Sequence, residues 1–136
     1  AWEQKSFKIA LDCLTKILGL GIGLTPTGDD FITGLLASFS ALKQLPSNFQ
    51  QLAVLAKERT NAVSYAEIHE AVNERFSQLV QRVFLSIESG NTNEMAQAVS
   101  ALEEVGSTSG SDILCGIIFG LKLFCEENNH DNSNSN

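Results

Sequence analysis

Apolar residues recur at helical spacing along almost the whole chain. Phe7, Ala10, Leu11, Leu14, Ile17 and Leu18 form one stripe, which Gly19 ends. Phe31, Ile32, Leu35, Leu36, Phe39 and Leu42 form a wider stripe that stops before Pro46. Asn48 is placed to cap a helix through Leu52, Leu55 and Ala56. Ser64-Tyr65-Ala66-Glu67 has the Ser-x-x-Glu form of a capping box ahead of Ile68, Ala71 and Val72. Helical spacing continues through Leu79, Val80, Val83, Phe84 and Ile87 to Gly90, and Asn91 then reads as a cap before Met95, Val99 and Leu102. A last stripe holds Ile113, Leu114, Ile117, Ile118, Leu121 and Phe124. No segment sustains the two-residue alternation of a half-buried strand. The pattern predicts an all-α fold, a compact bundle of six or seven helices. The helices over 31–42 and 113–124 are apolar almost all round, which places them at its centre.

Each of those two helices is opened by the same phrase. Thr25-Pro26-Thr27-Gly28-Asp29-Asp30 leads to Gly34, and Ser107-Thr108-Ser109-Gly110-Ser111-Asp112 leads to Gly116. A glycine and hydroxyl loop at the head of a helix can cradle a small anion with backbone N–H groups and the helix dipole. Pro26 fixes φ, Gly28 permits positive φ, and Thr27 or Asp29 can cap one helix as Ser109 or Ser111 can cap the other. Capping alone needs a single hydroxyl or carboxylate, and each loop carries more than that. The matched pair therefore points to one pocket built from two similar halves.

Gly34 and Gly116 follow Asp30 and Asp112 by one turn, on the same helical face. An interior glycine costs about 1 kcal/mol relative to Ala, so close helix approach is its natural purpose. A crossing at Gly34 and Gly116, assisted by Gly120, brings both loops to one place. Asp29, Asp30 and Asp112 can bind a hard divalent cation such as Mg²⁺, act as a general base, or orient the hydroxyls of the opposite loop. Arg59, at a junction with Thr60 and Ser64, suits a carboxylate or phosphate, or stands as a solubilising surface cation. His69 reads as a surface residue. No Ser or Cys is partnered in a way that supports a hydrolase triad.

Composition narrows the ligand. The 136 residues carry a net charge of −7, which argues against nucleic acid and anionic membrane surfaces and leaves room for a small anionic metabolite. Cys13, Cys115 and Cys125 form no metal-ligand or disulfide spacing and read as buried free thiols of a cytoplasmic protein. The boundaries expected are a helical domain over 1–125 and a solvated polar tail over 126–136. The chain starts at Ala1 without a Met, as the C-terminal part of a longer protein would.

The stretch with Gly21, Gly23, Thr25, Pro26, Gly28, Asp29, Asp30 and Gly34, followed by Ser109, Gly110, Asp112 and Gly116, resembles the two signatures of the AllH family in its C-terminal region. Ser107-Thr108 departs from the His-Ser pair of many relatives, which puts any role for that His in doubt here. The resemblance implies a subunit of an oxamate carbamoyltransferase-type complex in purine (allantoin) catabolism, working with other protein subunits. Such a complex exchanges a carbamoyl group between oxalurate and phosphate, giving carbamoyl phosphate and oxamate. On that reading Asp30 and Asp112 are the catalytic candidates. Thr25, Thr27, Gly28, Asp29, Arg59, Ser64, Ser109 and Gly110 are the substrate-binding ones, for phosphate, carbamoyl phosphate or an oxamate-like acid. The alternative is a non-catalytic metabolite-binding or assembly module of a larger complex.

Overall fold

A computed structural model describes the backbone of residues 4–134 and the side chains of residues 7–126. Among these residues seven α-helices follow one another: α1 (Gln4–Ile17), α2 (Thr27–Ala41), α3 (Gln50–Arg59), α4 (Ala62–Val72), α5 (Gln78–Ser89), α6 (Thr92–Glu103) and α7 (Ser109–Asn134). A single 3₁₀ turn, Ser47–Phe49, leads into α3, and no strand occurs among the described residues. The all-α bundle expected from the periodicity is what forms. The backbone of α7 continues as helix into the polar stretch after Glu126.

α2 is the axis of the molecule. Its apolar residues are nearly all buried because neighbours cover it on both sides. On one side Ile32, Leu35, Leu36 and Phe39 join Leu11, Leu14 and Leu18 of the α1 segment, Leu52, Ala53 and Ala56 of α3, and Ile68 and Ala71 of α4. On the other side Ala37 joins Val80 and Val83 of α5, Ala98 and Leu102 of α6, and Ile113 and Ile117 of α7. Two cores thus share one helix. α7 packs along α2, yet its far face is open: Ile118 and Phe119 are exposed, so only α2 of the two apolar helices is central.

The crossing of α2 and α7 is reciprocal. A Cβ at Gly34 would overlap the Ile113 carbonyl oxygen, and a Cβ at Gly116 would overlap the Phe31 carbonyl oxygen. Each glycine stands three residues after the equivalent of the residue it meets, so the two motifs cross with local two-fold symmetry. Gly120 assists, since a Cβ there would lie 2.6 Å from Ser38 Cβ. The Ser38 hydroxyl donates to the Ile117 carbonyl at 2.7 Å, which ties the two helices together further along.

Several local expectations are corrected. The helix predicted from Ser64 to Gly90 is broken: α4 ends at Val72, Glu74 takes φ 61°, and α5 restarts with Ser77 accepting from the Val80 N–H. The cap of α4 is Asn61, not Ser64; its side chain accepts from the Ser64 N–H, which leaves the Ser64 hydroxyl for another use. Asn48 caps nothing, because the 3₁₀ turn takes its place. Asn91 does cap α6, accepting from Asn93 and Glu94. Cys13, Cys115 and Cys125 are free, yet exposed instead of buried. His69 is on the surface.

Candidate functional site

The residue sequence at the head of α2 sends its two adjacent carboxylates in different directions. Asp29 is fully occupied: Oδ1 accepts from the Gly19 N–H at 2.8 Å and Oδ2 from the Thr60 hydroxyl at 2.5 Å. It latches the ends of α1 and α3 to α2. Gly19 can reach it because it sits at φ 77°, pressed so closely on the Arg59 carbonyl that a Cβ would overlap that oxygen. Asp30 turns instead toward α7. Its Oδ2 accepts from the Thr25 hydroxyl at 3.0 Å, and Thr25 lies 2.7 Å from the Ser109 hydroxyl of the second motif. The two loops therefore meet through a pair of hydroxyls that ends on one buried carboxylate.

A third helix start joins them. The Asn61 side-chain amide donates to the Leu24 carbonyl at 2.7 Å, which sets the first turn of α4 against the loop that leads into α2. Asp30, Ser64 and Asp112 all stand in the first turns of their helices. Four buried polar atoms have no partner here: Asp30 Oδ1, Thr33 Oγ1, Ser64 Oγ and Asp112 Oδ2. Thr33 lies one turn beyond Asp30 on the same face of α2, and Glu67 one turn beyond Ser64 on α4. Thr33 and Glu67 line a cleft of about 350 Å³ whose other walls include Ile113, next to Asp112, and Arg75, Phe76 and Ser77 after α4.

Burial dominates the electrostatics. It pushes the Asp30 carboxyl up from the usual 3.8 to about 6, against the hydroxyls of Ser109 and Thr25, which favour the charged form; the Asp112 and Asp29 carboxylates add to the rise. Glu67 is also raised, first by burial and then by the carboxylates of Asp30 and Asp29. At the cleft mouth Arg75 is engaged by Glu70, which holds the Glu70 carboxyl below its usual range. Among the described residues no group of three or more His, Cys, Asp and Glu side chains is arranged to hold a metal ion.

The other predicted residues fall elsewhere. The Arg59 guanidinium donates to the Thr15 carbonyl at 2.8 Å, fastening α3 to α1, and does not line the cleft. Thr27 is exposed and borders a separate apolar hollow with Ile17, Leu20 and Phe31. Neither it nor Asp29 caps α2, whose N-cap is Pro26 with no side-chain bond. Gly28 and Gly110 are helical; they are small so that α2 can press on the Ile17 carbonyl and α7 on the Leu102 carbonyl. The first-turn amides of α2 are largely used within the fold. Gly28 donates to the Leu20 carbonyl, and Asp29 and Asp30 both donate to that of Pro26. Gly110 and Asp112 likewise donate to Val105 and Thr108.

Sequence reasoning missed Thr33, Glu67 and Arg75. Thr33 had a signal, a hydroxyl on the Asp30 face of an otherwise apolar helix. Glu67 was read as half of a capping box, and Arg75 lay inside a helix that does not exist. No solved structure matches the chain. The family model described as oxamate carbamoyltransferase subunit AllH matches residues 17–121, a span that takes in both motifs and everything that surrounds the cleft. A family of subunits implies other protein subunits in a complex. The chain belongs to the oxamate carbamoyltransferase subunit AllH family.

Proposed function

We propose that this chain contributes the carbamoyl-transfer pocket of such a complex, at the place where the first turns of α2, α4 and α7 converge. The observation that carries the reading is Asp30: buried, bonded to Thr25 on one oxygen, and without a partner on the other. When the amide nitrogen of oxamate attacks carbamoyl phosphate, an N–C bond forms and the C–O bond to phosphate breaks. The nitrogen loses one proton. Asp30 takes that proton as general base and returns it as general acid in the reverse direction, which uses oxalurate and phosphate. A carboxyl that titrates at about 6 suits both directions near neutral pH. Thr25 and Ser109 hold its orientation.

A metabolite-binding or assembly role without turnover is the second reading. It draws on the engaged amides of α2, which leave few donors for an oxyanion. Thermal unfolding with carbamoyl phosphate, oxamate and phosphate tests whether the pocket binds at all. A ligand at about 100 times its Kd should add roughly 2.7 kcal/mol of stability. Asp30→Asn should abolish the gain; an unchanged gain in the variant would remove Asp30 from the site.

A further inference from the structure

The first turns of α2, α4 and α7, with Thr33 at the edge of the cleft, carry an unbalanced set of hydrogen-bonding groups. Two of the four unpartnered atoms, Asp30 Oδ1 and Asp112 Oδ2, are carboxylate oxygens on two different helices. The other two, Thr33 Oγ1 and Ser64 Oγ, are hydroxyls on α2 and α4. Asp30 is 1% exposed, Thr33 9% and Ser64 0%, so solvent does not satisfy them at the surface. A buried polar group without a partner costs about 1–3 kcal/mol, and four together call for a ligand that answers all of them. Ionised carboxylates only accept, so the ligand must bring N–H or O–H donors to them. The hydroxyls can donate, so it must also bring an acceptor. A carboxylate or an ionised phosphate ester supplies acceptors only, and either would place charge against the acidic side of this cluster.

A primary carboxamide answers the set group by group. Its two N–H bonds meet the two carboxylate oxygens, and its carbonyl oxygen accepts from the two hydroxyls. We infer that Asp30 and Asp112 form a selectivity filter that reads the NH₂ end of a carboxamide against a methyl group of the same size, while Thr33 and Ser64 hold its carbonyl oxygen. Asp112 is a specificity-determining residue on this view and Thr33 a positioning residue, and the anionic end of the ligand points away from them. The inference rests on the carbamoyl-transfer reading and adds which end of the substrate the aspartates face.

Two isosteric pairs test it. Oxamate and pyruvate differ by NH₂ against CH₃, as do carbamoyl phosphate and acetyl phosphate. Calorimetric titration of the chain, with its partner subunits bound, should show the amide member of each pair binding at least about 10²-fold tighter, because the methyl member leaves buried acceptors unpaired. Asp112→Ala, which removes one of the two acceptors that face the NH₂, should shrink that ratio. Thr33→Val, which removes a donor to the carbonyl that both members share, should weaken both alike and leave the ratio unchanged. Equal affinity within both pairs would overturn the filter while leaving carbamoyl transfer standing. Absence of binding by all four compounds would overturn both.

Discussion

Asp29 and Asp30 are neighbours with one chemistry and opposite consequences. Both oxygens of Asp29 are satisfied by groups that hold the fold, so its loss is a loss of structure. Asp30 is held on one side only, and burial makes its charged form unfavourable. The sign follows from proton linkage. Between the unfolded value of 3.8 and the folded value of about 6, the native state binds more protons than the unfolded state. Stability is therefore greatest below that window and falls as pH rises through it, by up to about 3 kcal/mol. Urea unfolding at pH 5 and pH 8 should show about half of this loss, roughly 1.4 kcal/mol, in the wild type and its flattening in Asp30→Asn. Asp29→Asn should instead lower stability by roughly 1–3 kcal/mol at both pH values. An identical response in the two variants would show that the carboxylates do not differ as described.

At the scale of elements, the fold is governed by how closely α2 and α7 approach. Glycine at 34 and 116 removes Cβ atoms that would overlap the facing backbone carbonyls. Ala is the better helix former by about 1 kcal/mol, yet Gly34→Ala and Gly116→Ala should each destabilise, by about 1–3 kcal/mol or more net. Gly120→Ala should cost less, since it meets the Ser38 side chain instead of backbone. Denaturant midpoints of the three variants check the order. A Gly34→Ala variant as stable as the wild type would mean that the helices are not in contact there.

This crossing was legible because a glycine one turn after each Asp has no local purpose in a helix. The cap at Asn91 was legible for the same reason, a side chain whose own backbone neighbours supply its donors. What escaped depended on distant partners. Nothing near Arg59 announces that the Thr15 carbonyl will take its guanidinium. Nothing in Asp29-Asp30 tells which carboxylate meets Thr60 and which meets Thr25. Ser64 and Asn61 both suit a helix start, and the contact of Asn61 with the Leu24 carbonyl accompanies the choice made in the fold. The break after Val72 escaped because Asn73-Glu74 carries no Gly or Pro, and Glu74 takes positive φ despite its side chain.

For the molecule as a whole, the two cores on either side of α2 leave the heads of three helices gathered at one place. Burial there opposes ionised carboxylates while the hydroxyls of Ser109 and Thr25 favour them, the Asp112 and Asp29 carboxylates side with burial, and Asp30 at about 6 is the outcome of that contest. With a net charge of −7 the overall field does not draw in the anionic substrate proposed above, so local geometry would have to hold it. The central question is whether that gathered site does chemistry. The direct measurement is the rate of phosphate release from carbamoyl phosphate with oxamate, using this chain in complex with its partner subunits, as wild type and Asp30→Asn. Asp30→Asn should lose roughly 10²–10⁴-fold in kcat with the complex intact. Wild-type turnover in an intact Asp30→Asn complex would contradict the proposal.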